Sequence, residues 1–149
     1  MIPLCSCHDL YRYFIRYKKK MESFYERLRI RIVKWTPNKK AYNKGCWEWD
    51  GPRKSGSSYG TCNLYIPGGD QMRVNAHRAS YIAHNQRFVL PYDISHICHE
   101  CKCVNPNHLS HETHAINMER EICCKAGGCT EHYHDDGSKL KSCIFAVEE

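Results

Sequence analysis

The sequence lacks long apolar segments. No stretch approaches the roughly 18 consecutive apolar residues of a membrane-spanning helix, so we expect no membrane partner. The first residues lead into charged side chains without the roughly 7–15 apolar residues of a secretion signal, so we expect an intracellular chain. Aliphatic clusters are also scarce in residues 98–142, and that region needs something besides an apolar core to hold its shape.

Cysteine and histidine are abundant instead. The 149 residues include 11 cysteines and 10 histidines, and an odd number of cysteines does not fit a fully paired disulfide framework. Without an export signal, cysteines interleaved with histidines are more typical of zinc ligands than of disulfides. We therefore expect structural zinc.

Positive charge is concentrated at the N-terminus. Residues 1–40 carry 11 Lys and Arg against 3 Asp and Glu, whereas residues 41–149 carry 11 against 13. Such an imbalance is expected where a segment approaches a polyanion. We divide the chain into a basic N-terminal helix or arm (1–40) and a main domain (41–149).

Residues 9–34 have a helical pattern, with no Pro or Gly before Pro37. Apolar residues recur at alternating steps of four and three along one stripe: Leu10, Phe14, Tyr17, Met21, Phe24 and Leu28. In one interpretation the helix only packs this stripe on the domain core. In the other, the basic helix also contacts phosphates or packs against a second copy of itself. The pattern allows both.

A β-rich region follows. Residues 46–49 alternate, residues 59–66 and 71–75 predict two strands, and the turn signal of residues 67–70 joins them as a hairpin. Residues 76–85 predict a short helix. The fold class is α+β.

Cys98, Cys103 and His108 are spaced five residues apart around Asn105 and Pro106, as in a loop that wraps one tetrahedral ion. Cys46 is the best candidate for the fourth ligand, since it opens the β-region that would pack against this loop. Metal binding here would contribute folding energy.

A second zinc site is predicted downstream. Its preferred ligands are Cys123, Cys129, His134 and Cys143. Cys124 and His132 are realistic substitutes, and the spacing does not decide between them.

Two residues between the clusters are free for chemistry. His96 lies on a predicted strand (93–97) and Asn117 on a predicted helix (112–121), which gives a ββα arrangement able to grip a phosphodiester. A neutral histidine can deprotonate water near pH 7, and an asparagine carbonyl oxygen suits Mg²⁺.

These residues carry a resemblance to a known family. Residues 95–99 and 103–109, Asn117 and the later cysteines resemble the His-Cys box of homing endonucleases encoded in nuclear rDNA introns. That family is a branch of the ββα-metal, or HNH-like, nucleases. Residues 46–49, 59–60 and 76–78 are similar to its opening strands and following helix.

The resemblance implies a small zinc-stapled ββα-metal fold that cuts DNA in the nucleus with two structural zinc ions and one Mg²⁺. His96 would be the general base, Asn117 the Mg²⁺ ligand and Arg73 the arginine that steadies the scissile phosphate. Cys46, Cys98, Cys103 and His108 would hold the first zinc.

The resemblance also implies that the antiparallel hairpin lies in the DNA major groove. The expected base-contacting residues are Asn63, Tyr65, Gln71, Arg73 and Asn75. The expected phosphate contacts are Arg53, Lys54 and the Lys and Arg side chains of the N-terminal helix.

A single site of this kind cuts one strand, so we expect a C₂ homodimer on double-stranded DNA. The sequence leaves two alternatives to a sequence-specific endonuclease open: a non-specific HNH-type nuclease, and a zinc-dependent DNA-binding module without catalysis.

Overall fold

The computed structural model describes residues 7–37, 45–69, 71–88, 91–127 and 131–144, with side chains from residue 11 onward. Within these ranges the elements are α1 (Cys7–Lys34), β1 (Thr61–Tyr65), β2 (Gln71–Asn75), α2 (Ala76–Asn85), β3 (Asp93–His96), β4 (Leu109–Glu112) and α3 (His114–Lys125). Strands β1 and β2 form one antiparallel sheet, and β3 and β4 form another. The predicted α+β class is confirmed. No helix of the described ranges is long and apolar enough to cross a membrane.

Helix α1 is buried along only part of its predicted stripe. Phe24 and Leu28 lie in the core, whereas Phe14 and Tyr17 are 64% and 46% exposed. The buried face instead continues to Ile32, and it packs with α2, the hairpin and residues of β3 and β4 in one core. The C-terminal half of α1 is therefore an integral part of the fold.

The predicted hairpin and the helix after it are confirmed. Strand β1 pairs with β2 in the register Thr61 opposite Asn75 and Tyr65 opposite Gln71. Because side chains alternate along a strand, these four residues share one face with the central Asn63–Arg73 pair. Leu64, on the other face, is buried in the core.

Trp49 anchors the segment before the hairpin. Its indole is 1% exposed and donates a hydrogen bond to the Pro52 carbonyl oxygen at 3.0 Å. A Cβ added at Gly60 would lie 2.1 Å from the ring, and one at Gly51 would lie 2.5 Å from it. Only glycine fits at these two positions, since the ring fills the space of a side chain.

Residues 46–49, which alternate in polarity, do not become a strand of either sheet. They make a single antiparallel bridge, between Glu48 and Cys103, flanked by hydrogen bonds from Trp49 N to Lys102 O and from Val104 N to Trp47 O. The segment pairs with the irregular Cys98–His108 loop, which is too short to continue as a strand. This bridge brings Cys46 beside that loop.

Strands β3 and β4 and helix α3 form the predicted ββα unit. His96 pairs with Leu109 at the end of the β3–β4 ladder, and a 3₁₀ turn (Pro106–His108) leads into β4. Thr113 caps α3, because its hydroxyl accepts a hydrogen bond from Ile116 N at 3.4 Å. The unit places β3 and α3 side by side.

Candidate active site and metal centres

The four predicted ligands of the first zinc meet in the structure. The ligand atoms of Cys46, Cys98, Cys103 and His108 lie within 4.8 Å of one another, and all four residues are buried. His108 Nδ1 is 3.5 Å from Cys46 Sγ and 3.6 Å from Cys103 Sγ. Tetrahedral zinc, with bonds of about 2.3 Å to sulfur and 2.0–2.1 Å to nitrogen, sets such atoms about 3.5 Å apart. The cluster therefore has the dimensions of a zinc site.

The loop of this cluster is held by Asn105. Its side-chain oxygen accepts a hydrogen bond from Asn107 N at 3.0 Å, and its Nδ2 donates to the Gly45 carbonyl oxygen at 2.8 Å. The second bond fixes the backbone next to Cys46. The pKa of the Cys46 thiol is raised to about 12, mainly by burial and secondly by the neighbouring Cys98. Thiols buried together without a cation resist ionisation, and zinc supplies that cation.

The second cluster contains Cys123, His132 and Cys143, whose ligand atoms also lie within 4.8 Å of one another. His132 Nε2 is 3.7 Å from Cys143 Sγ, and its Nδ1 is 3.6 Å from a Glu119 oxygen. The structure thus brings in His132, which was predicted only as a substitute, in place of His134. Cys124 is exposed and lines another hollow. Cys129 lies outside the described residues.

His96 is oriented by the first cluster. Its Nε2 lies 2.9 Å from the carbonyl oxygen of Cys103. A carbonyl oxygen only accepts, so Nε2 carries the proton and Nδ1 keeps its lone pair. Burial lowers the pKa of His96 to about 4, so the ring is neutral at pH 7. The His77 ring packs against it at 4.3 Å between centroids.

Asn117 is oriented by Asp93. Asn117 Nδ2 donates to Asp93 Oδ2 at 3.1 Å, and His114 Nδ1 lies 2.8 Å from the same oxygen. Burial opposes the charge of Asp93, but the hydrogen bonds from His114 and Asn117 outweigh it and hold the pKa of the carboxyl below its ordinary value. With the nitrogen committed, the amide oxygen of Asn117 is the atom available to a cation.

His96 and Asn117 share one cleft. Two adjoining hollows both contain Tyr59, His96, Asn117 and Glu121 in their walls. One hollow is completed by Asn75, His77, Arg78, Asp93 and Ile94, and the other by His99, Cys101, Arg120, Cys124 and Lys125. The cleft therefore combines a neutral imidazole, oxygen ligands and positive charge.

A family model described as the zinc-binding loop region of homing endonuclease matches residues 45–149. The match covers well over half of the chain and includes both clusters. The chain belongs to this family. Membership in the homing endonuclease zinc-binding family and the two cysteine–histidine clusters together identify zinc as a cofactor. No curated protein and no solved structure matches the chain.

In this member of the family, the five residues predicted to contact DNA bases share the outer face of the hairpin. Arg73 donates to Thr61 Oγ1 at 3.1 Å and lines a groove with Asn63, Tyr65 and Arg31. Among the described side chains that line the His96 cleft, the arginines are Arg78 and Arg120 rather than Arg73. Arg53 and Lys54 are exposed on the loop that precedes Tyr59.

Sequence reasoning missed several cleft residues: Tyr59, His77, Asp93 and Glu121. Two of them had a detectable pattern. Asp93 lies on the same predicted strand as His96. Glu121 follows Asn117 by one helical turn, so Asn117 and Glu121 lie on the same face of α3. Tyr59 and His77 reach the cleft only through tertiary packing.

A buried ion pair links the ββα unit to the second cluster. Arg120 is 1% exposed and binds Glu112 through two hydrogen bonds of 2.6 and 2.9 Å. Its Nη1 also donates to Cys143 Sγ at 3.3 Å. Burial opposes the guanidinium charge, but Glu112 outweighs it, so the pKa of Arg120 is raised. The guanidinium thereby favours a thiolate at Cys143.

We expect Arg120→Leu to lower the free energy of unfolding by about 3–5 kcal/mol, because it leaves the Glu112 carboxylate buried without its cation. The double variant Arg120→Leu/Glu112→Leu should be more stable than the single one. Urea denaturation of the zinc-loaded proteins measures both. Arg29→Leu, which breaks the exposed pair with Glu26, is the control and should change little. A double variant less stable than Arg120→Leu would contradict the expectation.

Proposed function

We propose that this chain is a DNA endonuclease in which His96 is the general base and Asn117 holds one Mg²⁺. The observation that carries the proposal is the His96–Cys103 hydrogen bond, which leaves the unprotonated Nδ1 for the cleft that Asn117 also lines. A water molecule beside Nδ1 would lose its proton to the imidazole and attack the phosphorus of a phosphodiester. Tyr59 and His77 pack around the ring and restrict its motion.

The amide oxygen of Asn117 and the carboxylate of Glu121 are the hard oxygens that would meet the cation in this cleft. When bound, Mg²⁺ would polarise the phosphate and stabilise the leaving 3′ oxygen. Arg78 and Lys125 contribute positive charge on the two sides of the cleft, where a phosphate backbone would enter. Arg73 lies on the hairpin face, and we propose a groove contact for it.

The hairpin face would read the DNA bases. A two-stranded antiparallel ribbon fits the major groove, and Asn63, Gln71 and Asn75 offer amide donors and acceptors to base edges. Arg53 and Lys54 would add phosphate contacts beside the cleft. Because one cleft cuts one strand, the proposal includes a homodimer, and a monomeric mass on the cleaved duplex would exclude it.

Supercoiled plasmid tests the proposed function. The zinc-loaded protein should nick or linearise it with Mg²⁺ and leave it intact when Mg²⁺ is omitted. Binding of a duplex without any cleavage at millimolar Mg²⁺ would instead favour the DNA-binding module. Sequencing the cut ends of a random library separates a homing enzyme, with one recurrent site, from a non-specific nuclease, with dispersed cuts.

Asp93→Ala should weaken Mg²⁺ binding by about 10–100-fold, because the Asn117 amide loses the partner that orients it. The Mg²⁺ concentration for half-maximal cleavage reports this, and the electron paramagnetic resonance of Mn²⁺ reports it without turnover. Asp50→Ala, at an exposed carboxylate outside the cleft, is the matched control. Equal Mn²⁺ affinity in the two variants would remove Asp93 from its positioning role.

A further inference from the structure

Helix α1 segregates its charges. At 3.6 residues per turn, seven basic side chains fall within an arc of roughly 120°. This basic stripe consists of Arg12, Arg16, Lys19, Lys20, Arg27, Arg31 and Lys34. Glu22 and Glu26 fall outside the arc, as do Lys18 and Arg29. The stripe is therefore a continuous row of one sign.

The charges of this row are not neutralised within the described part of the chain. Of the ion pairs found there, the one on α1 joins Arg29 to Glu26, off the stripe. Arg12, Arg16, Lys19, Lys20 and Arg27 are all exposed. A row of like charges held in this way attracts a polyanion.

The stripe runs into the hairpin. Lys19, Lys20 and Arg27 line a hollow with Tyr65 and the hairpin turn at Pro67 and Gly68. Further along, Arg31 donates to the Asn63 carbonyl oxygen, and its guanidinium lies 5.1 Å from the centre of the Tyr65 ring. The same Tyr65 belongs to the outer face of the hairpin. The basic stripe and that face are thus one continuous surface.

We infer that the basic stripe binds the phosphate backbone of the duplex whose bases the hairpin face reads. The inference rests on the proposed function, since it assigns to the same DNA a second contact surface. From Arg12 to Lys34 the stripe spans about 33 Å at 1.5 Å per residue, the length of about ten base pairs at 3.4 Å each. A second copy of α1 would not fit this face, because two basic rows would repel each other.

Salt dependence of DNA binding tests the inference, because the slope of log K against log salt decreases in magnitude by about 0.9 for each phosphate that the protein no longer neutralises. The stripe variant is Lys20→Gln/Arg27→Gln, and the probe is a 40-base-pair duplex of random sequence, with Mg²⁺ omitted to prevent cleavage while zinc stays bound. We expect its slope to be about 1.8 smaller than that of the wild type. Between 50 and 200 mM salt the variant should then lose about 12-fold less affinity than the wild type.

Lys18→Gln/Arg29→Gln is the matched control, because it removes the same charge from exposed positions of the same helix outside the stripe. Its slope should equal that of the wild type. Equal reductions in both variants would indicate a net-charge effect, and no reduction in either would remove the stripe from the interface; both results overturn the inference. A wild-type chain that does not bind the duplex would overturn the proposed function itself. Circular dichroism confirms that each variant is folded.

Discussion

Replacing His96 with alanine is expected to lower the rate of Mg²⁺-dependent DNA cleavage by about 10²–10⁴-fold, the usual contribution of a general base. The substitution removes the imidazole that lines the cleft and whose Nδ1 is the proposed proton acceptor. It leaves the first zinc cluster in place, because His96 contacts the Cys103 carbonyl and not the ligand atoms. The affinity for a duplex, measured without Mg²⁺, should therefore be unchanged. The single-turnover rate of cleavage, measured with Mg²⁺, should fall.

His84→Ala is the control for the loss of a histidine, since His84 is exposed at the end of α2 and outside the cleft. Its cleavage rate should equal that of the wild type. Wild-type cleavage by His96→Ala, with the zinc content intact, would remove His96 as the base. Cleavage absent from every protein, the wild type included, would leave a zinc-dependent DNA-binding module.

The second large effect concerns the first zinc cluster. Cys98→Ser should abolish cooperative unfolding, because a site without this thiolate no longer retains zinc, and zinc binding contributes on the order of 10 kcal/mol to folding. That is as much as the whole stability of a typical domain. The cluster has few apolar neighbours to replace the metal, and of the described partly buried apolar side chains Ile144 alone packs against its cysteines. Zinc content by mass spectrometry and urea unfolding report the change.

Cys62→Ser provides the matched control for this substitution. Cys62 is also a buried thiol, at 5% exposure, but it lies in the main core beside Arg31 and outside both clusters. We expect it to keep its zinc and lose about 1–3 kcal/mol, the cost of a buried polar group with imperfect partners. Cys98→Ser with full zinc content and a similarly small loss would show that the first cluster does not hold the fold together.

The first cluster could be predicted from the sequence because its geometry is local. Cys98, Cys103 and His108 bring their ligand atoms together within a single loop, and the bridge between the Cys46 segment and that loop adds the fourth. The second cluster could not be predicted fully, because His132 and His134 are two residues apart. A hydrogen bond from His134 N to Ser138 O ties His134 into a turn, which leaves His132 to face α3.

The secondary structure was predictable where the periodicity was strong, as in α1, the hairpin and α2. Strand β4 was not, since Leu109–Glu112 contains no β-branched residue and becomes a strand only by pairing with β3. The exposure of Phe14 and Tyr17 was also hidden, because a helical stripe does not tell how far along it the partner surface extends. The cleft residues Tyr59 and His77 depend on that same tertiary packing.

The hydrogen bond between His96 and the Cys103 carbonyl has a consequence for when this protein can act. Cys103 contributes its sulfur to the first cluster and its carbonyl oxygen to the imidazole, so loop and base are positioned together. A newly made chain that has not yet captured zinc would hold no oriented base, and neither would a chain stripped of its metal. Under the proposed mechanism, DNA cleavage therefore depends on bound zinc, and chains without zinc would not cleave DNA.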